Sequence, residues 1–350
     1  MANTERVLIA GEWRDADATG TFQPINPDSG ETLEWTYPVS SRADIDAALE
    51  AGSAAAGELL RTPVDKIADF LEHYAGLLGE SSSELSAAAN LETALPVSPR
   101  LADIELPRTI DQLRQAAAAV RDRGWTMPTI DTATNIRSMY GPLGAPVAVF
   151  GPNNFPFAYN AVAGGDFAAA IAVRSAVIAK AHPSHPRTSQ LLAKVALRAI
   201  QDTDLPPATL QIVFHMAPED GFYLVSHPLI GATGYTGSRR AGLALKAAAD
   251  AAGKPIYLEM SSVNPVFILP GALRERGEEI VGELGPREGI MIPKGVPYWF
   301  ESAADEQLEI LRVSSVDGSI KAERVNYEAL KDWQVERDLG GREASAAERR

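Results

Sequence analysis

The sequence predicts an α/β fold, a doubly wound parallel sheet with helices ahead of it and a short antiparallel β segment behind. Three observations carry the prediction. From Val147 onward, short apolar runs alternate with stretches of helical periodicity. The connections between them are short, as in repeated β–α–β units. Before Val147 the dominant signal is helical, with apolar residues three and four apart.

Residues 5–37 interleave short apolar runs with Gly11, Gly20, Pro24, Pro27 and Gly30, a pattern of strands and turns. Helices are expected over 42–60, 64–78 and 101–120. Strands follow at 147–150, 176–179, 210–214, 229–233 and 255–258, with helices at 161–173, 187–200, 219–225 and 238–252 between them. This Rossmann-like arrangement implies a sheet covered on both faces, with ligands outside the carboxyl ends of its strands. Near Glu283 the character changes: 289–300 and 308–313 read as two antiparallel strands. Residues 335–350 are highly charged and carry Gly340-Gly341, as expected of a frayed tail. His182 and His185 are close in sequence, but Pro183 and Pro186 argue against a shared helical face.

Composition narrows the function. The 350 residues carry a net charge of −14, which disfavours non-specific contact with nucleic acid or anionic membranes. Charged residues break every apolar stretch below transmembrane length, and the apolar run 7–10 is too short for a signal peptide. A cytoplasmic protein is therefore expected. There is no cysteine, so disulfides, thiolate–metal sites and thiol catalysis on this chain are excluded. No cluster has metal-ligand spacing.

Two motifs stand out. Phe150-Gly151-Pro152-Asn153-Asn154-Phe155-Pro156-Phe157 follows the first strand of the alternating region. Leu258-Glu259-Met260-Ser261-Ser262-Val263-Asn264-Pro265 follows Pro255–Tyr257. A third, Gly234-Tyr235-Thr236-Gly237-Ser238, reads as a turn between a strand and a helix, whose free N–H groups could bind pyrophosphate. Taken alone, the first is better read as a polar turn, Glu259 as a solvated glutamate at a strand end, and the third as a tight strand-to-helix turn.

Together the motifs resemble the aldehyde dehydrogenase superfamily, most closely the branch acting on α-ketoglutarate semialdehyde (2,5-dioxopentanoate). The resemblance implies that Asn154 donates its amide to the developing oxyanion, worth about 10²–10³ in rate per donor. It implies that Glu259 is the general base, if partial burial raises its pKa. Cofactor contacts fall on Gly151, Pro152, Asn153, Lys180, His182, Thr236, Gly237, Ser238 and Leu258. Where NAD-preferring relatives place a ribose-chelating glutamate, this chain has Pro183. NADP is then expected to bind at least as well as NAD, with Lys180 and His182 as partners; a solvated lysine capping a strand is the alternative for Lys180.

The likeness covers roughly residues 5–282, and a cofactor-binding domain is expected over 1–282. The family's nucleophilic cysteine has no counterpart in 289–300, and 283–334 instead resembles part of a cupin barrel, with Tyr298 where a cupin places a histidine. The expected partners are thus a small aldehyde and a dinucleotide, with no nucleic acid or membrane. Oligomeric state stays open, because the family's C-terminal contact strands have no visible counterpart. Three readings follow: an impaired semialdehyde dehydrogenase, a non-catalytic dinucleotide-binding module, or a truncated or fused product without function.

Overall fold

The computed structural model describes residues 4–261. The β segment expected at 283–334, the tail at 335–350 and the latter part of the second motif, 262–265, lie outside the described residues.

Strands β1 (Val7–Ile9) and β2 (Glu12–Arg14) form a tight antiparallel hairpin. It turns through Ala10 and Gly11, both at positive φ, where glycine relieves the clash of a side chain. Strands β3 (Ala18–Phe22) and β4 (Tyr37–Ser40) form a separate antiparallel pair. Helix α1 (Arg42–Leu59) starts with a reciprocal cap. The Asp44 N–H donates to Ser41 Oγ, and the Ser41 N–H donates back to the Asp44 carboxylate. Next come α2 (Val64–Glu80), α3 (Ser82–Thr93), a widened helical turn at Val97–Glu105, and α4 (Leu106–Asp122). Phe70, Tyr74 and Phe167 join this layer through ring contacts at 5.9 Å.

Two elements escaped the sequence reading. Helix α3 buries only Leu85, Ser86, Ala89 and Glu92, so its inner face has little apolar contrast with its outer one. The hairpin of β5 (Thr129–Asp131) and β6 (Ile136–Ser138) is exposed along both strands, so no one-sided alternation marks it.

The principal sheet holds β7 (Val147–Phe150), β8 (Val177–Lys180), β9 (Leu210–Val213), β10 (Ala232–Gly237) and β11 (Ile256–Met260). Its order is β11-β10-β7-β8-β9-β1-β2. The strands from β11 to β9 are mutually parallel, and β1 adds to β9 antiparallel. All four residues of β7 and of β9 are buried. Since successive side chains face opposite ways, both faces of the sheet are covered there. Helices α5 (Gly165–Ala172), α6 (Pro186–Asp202), α7 (Pro218–Ser226) and α8 (Arg239–Ala251) supply the crossovers. The doubly wound α/β expectation holds.

One expected boundary is wrong. Gly234–Gly237 was read as a turn, yet it belongs to β10. Gly234 pairs with Val149 on one side and Tyr257 on the other, and Thr236 and Gly237 pair with Glu259 and Met260. Ladder bonds to both neighbours outweigh glycine's weak strand preference.

Candidate functional site

The chain runs from β7 outward to β8 and β9, then returns to place β10 on the other side of β7. This reversal is a topological switch point, where the loops after β7 and β10 diverge and leave a crevice. The register aligns Phe150, Tyr235 and Leu258 across three neighbouring strands. The Gly151–Asn154 loop, Thr236–Ser238 and Glu259 therefore leave the same carboxyl edge. The structure brings the separate sequence motifs to one rim.

The Asn154 loop is held from outside by residues the sequence reading missed. Buried Glu105, at the end of the widened helical turn, accepts through Oε1 the backbone N–H of Phe157 (2.8 Å) and of Ala158 (3.0 Å). Its other oxygen takes the Arg100 guanidinium. Arg100 also donates to the Asn154 carbonyl at 3.1 Å and lies over the Phe155 ring at 4.5 Å. Asn153 and Asn154 are themselves exposed, and among the described residues the Asn154 side-chain amide makes no hydrogen bond. It is a free donor on an anchored backbone. Gly151 is required here: a Cβ would lie 2.9 Å from the Tyr159 carbonyl and 3.0 Å from the Ala161 nitrogen. Only the burial of a glutamate in helical sequence could have signalled Glu105, and burial is not legible from sequence.

Lys180 closes β8, largely buried. Burial pushes its pKa down to about 8. Among the described residues it makes neither an ion pair nor a hydrogen bond, so a poorly hydrated ammonium faces the rim without a counterion. His182 follows, and its ring stacks on His185 with centroids 5.4 Å apart. The two histidines thus meet through an irregular loop, as Pro183 between them allows. The buried His185 donates from Nε2 to the Pro152 carbonyl at 2.8 Å, tying the β7 loop to the β8 loop.

On the other side of β7, Thr236 and Gly237 end β10 and Ser238 caps α8, its hydroxyl accepting the Ala241 N–H. Tyr235 Oη donates to the Ser238 carbonyl at 2.9 Å, and a Cβ on Gly237 would come within 2.6 Å of Tyr235 Oη. The backbone after β10 thus presents glycine and a fresh helix N-terminus to the crevice, a donor set suited to an anionic group. Leu258 is partly buried on β11.

Glu259 stands opposite Thr236 in the register but is exposed, contrary to the expectation of partial burial. Strand β11 is the last strand of the described sheet, so no further described strand covers it. A second carboxylate, unforeseen, lies close by. Asp166 on α5 reaches over Gly234, where a Cβ would be 2.7 Å from Oδ2. Dehydration of its carboxyl, together with the negative charge of Glu259, raises the Asp166 pKa.

The rim thus offers an amide donor, an uncompensated cation, free backbone N–H groups and two neighbouring carboxylates. Among the described residues no group of acidic or histidine side chains is spaced to hold a metal ion, and no described helix is long and apolar enough to cross a membrane. Lys180, unpaired among the described residues, and the glycine-lined end of β10 are chemically suited to an anionic ligand such as a dinucleotide.

Comparison with known proteins agrees with this fold. The profile of the aldehyde dehydrogenase family matches residues 13–281. Alpha-ketoglutaric semialdehyde dehydrogenase 2 of Azospirillum brasilense is 34% identical over 99% of this chain and 70% of its own length. The alpha-ketoglutaric semialdehyde dehydrogenase of Acinetobacter baylyi is 32% identical over 95% of this chain and 65% of its own. In the fold, aldehyde dehydrogenase C of Pseudomonas syringae, solved with NAD+ and octanal, superposes with a TM-score of 0.66 at 23% identity, over 76% of this chain and 52% of that one. The NADP-dependent glyceraldehyde-3-phosphate dehydrogenase of Bacillus halodurans, solved with NADP, gives 0.66 at 22% identity, over 75% and 54%. This chain spans about two thirds of the length of the two semialdehyde relatives and about half of the two solved chains. On the match of sequence and of fold, it belongs to the aldehyde dehydrogenase family.

Proposed function

We propose that this chain binds NADP or NAD in the crevice between the loops after β7 and β10, and that oxidation of a semialdehyde by the chain alone is impaired. The observation that carries the reading is the largely buried ammonium of Lys180, unpaired among the described residues, at the carboxyl edge of a doubly wound sheet. An uncompensated cation there disfavours the empty site and favours an anionic or hydroxyl-rich ligand. Gly151, Pro152 and Asn153 would line one wall and Thr236, Gly237, Ser238 and Leu258 the other, with Lys180 and His182 beneath the adenosine end.

The bound dinucleotide would supply the hydride acceptor. The chain would supply the Asn154 amide, which stabilises charge growing on an aldehyde oxygen, and the Glu259 carboxylate, which can take a proton from water. It contains no cysteine, so no thiolate of its own can add to the aldehyde. The two semialdehyde relatives support α-ketoglutarate semialdehyde as the substrate class. The family match ending at residue 281 supports a cofactor-binding portion over 1–282. Alignment with the Azospirillum relative over 99% of the chain favours a family origin for 283–350 as well, over a cupin-like one.

A second reading, a dinucleotide-binding module without turnover, is favoured by the missing thiolate together with the exposed Glu259. Calorimetric titration of the full chain with NADP and NAD, beside an assay of cofactor reduction with the semialdehyde, separates the two. Saturable binding with no reduction above a protein-free control supports the module. Slow but protein-dependent reduction supports the impaired enzyme. Fast steady-state oxidation would overturn the impairment, and no binding by a folded sample would overturn both.

A further inference from the structure

We infer that Arg108, Gln112 and Tyr159 form a subsite for the carboxylate of an anionic aldehyde, on the α4 side of the loop that carries Asn154. The inference rests on the proposed role of Asn154 at the aldehyde oxygen and adds what would hold the other end of the substrate.

Glu105, Arg108 and Gln112 are spaced three and four residues apart, so they lie along one helical stripe. That stripe faces the segment between β7 and α5, and each residue meets it at a different point. Glu105 accepts the Phe157 and Ala158 N–H groups, and Arg108 donates to Tyr159 Oη at 3.0 Å. The Gln112 Nε2 lies 3.7 Å from where a Cβ on Gly165 would stand.

Arg108 differs from the other arginines of α4. Arg114 and Arg121 reach Glu72 and Asp69 on α2. Among the described residues Arg108 has no carboxylate partner. The acids near it in sequence are engaged elsewhere: Asp103 accepts the Ser98 hydroxyl, Asp111 the Gln115 amide and Glu105 the Arg100 guanidinium. Asp166, on α5, reaches over Gly234 instead. Arg108 is thus oriented but uncompensated. Its guanidinium carbon lies 5.3 Å from the Tyr159 ring centre, and the bond to Tyr159 uses only part of its fork. The remaining N–H groups suit a carboxylate bound by two oxygens.

The neighbours supply further donors. Tyr159 Oη accepts from Arg108, which leaves its own proton to donate. The Gln112 amide makes no hydrogen bond among the described residues, although its Oε1 is buried. Rotation about the last side-chain bond exchanges its oxygen and nitrogen, so either position can present the amide N–H groups. A buried amide left open is costly unless a ligand completes it.

The path back to the reacting end is short. Tyr159 meets the Phe155 ring edge-on at 5.1 Å, and Phe155 directly follows Asn154. The aldehyde oxygen would meet the Asn154 amide, the carbon chain would lie along the two rings, and the carboxylate would reach Arg108. A neutral aldehyde leaves that arginine without a counterion, which is the basis of selection.

The test uses the full chain and a stable ketone in place of the aldehyde. 4-Oxopentanoate and its uncharged methyl ester are titrated by calorimetry, with and without saturating NADP. The acid should bind about tenfold or more tighter than the ester. Arg108→Gln should abolish that preference and Arg108→Lys should restore part of it, with NADP affinity unchanged in both. Gln112→Leu should reduce it. Equal binding of acid and ester, or binding of neither, overturns the inference and leaves the dinucleotide reading standing. So does a preference that survives Arg108→Gln, or one that NADP abolishes by competition, which would place the acid in the cofactor crevice. If NADP itself does not bind, the dinucleotide reading fails, and the preference measured without it still decides the inference.

Discussion

Glu105 accepts the backbone N–H of Phe157 at 2.8 Å, although 52 residues separate them in sequence. One buried carboxylate thereby fastens the loop that carries Asn154 to the helical layer beside the sheet. Its charge is matched by Arg100, which itself reaches the Asn154 carbonyl. The position of a solvent-facing amide is set by an ion pair behind it.

Glu105→Ala should therefore be among the most damaging single changes. It leaves a guanidinium and two N–H groups without their acceptor, a loss of about 3–5 kcal/mol, measurable by urea denaturation. Glu105→Gln keeps an acceptor for the two N–H groups and should cost clearly less. Equal losses would mean that the charge of Glu105, rather than its hydrogen bonds, holds the loop.

Gly151→Ala tests the same loop from its other end. The added methyl meets backbone rather than a movable side chain, so overpacking of about 1–3 kcal/mol is expected. Hydrogen exchange at residues 153–158 should accelerate. Unchanged exchange would show that the loop does not depend on the close approach at Gly151.

Glu92 supplies a pH signature. Buried between α3 and the start of α6, it accepts the N–H groups of Arg187 and Thr188 and the Thr188 hydroxyl. Burial outweighs these donors and raises its pKa from 4.5 to about 7. The folded state then holds a proton that the unfolded chain releases. This contribution to stability is fully present below pH 4.5 and is lost as pH rises through 7, an upper bound of about 3 kcal/mol. The difference between stability–pH curves of the parent and Glu92→Gln should fall in that window. A flat difference would show that the helix N-terminus keeps Glu92 ionised.

Lys180→Met should separate stability from binding. Removing a poorly hydrated, unpaired cation is expected to raise Tm by about 2–4 °C, while NADP affinity drops about tenfold or more. Thermal scans with and without cofactor would read both. A fall in Tm would indicate that the ammonium is already compensated.

The strands of the parallel sheet were legible because each is a short apolar run between helical repeats, and Val147–Phe150 matches its expected bounds. Helix α3 was not, since alanine and serine face both core and solvent and a glutamate lies inside. The motif residues stood out by resemblance, but Glu105, Arg100 and Asp166 did not, because nothing local distinguishes them from surface polar residues.

By itself the sequence determined the α/β alternation, the absence of a thiol, and the candidates Asn154, Lys180 and Glu259. Tertiary structure decided that Gly234–Gly237 is strand rather than turn, since two flanking partners supply ladder bonds that glycine's local preference does not foresee. It decided that Glu259 is exposed, and that Asp166 and Lys180 stand at the carboxyl edge from which the motif loops leave. Those outcomes depend on which strands are neighbours, and neighbours in a doubly wound sheet are set by long-range packing rather than by adjacent residues.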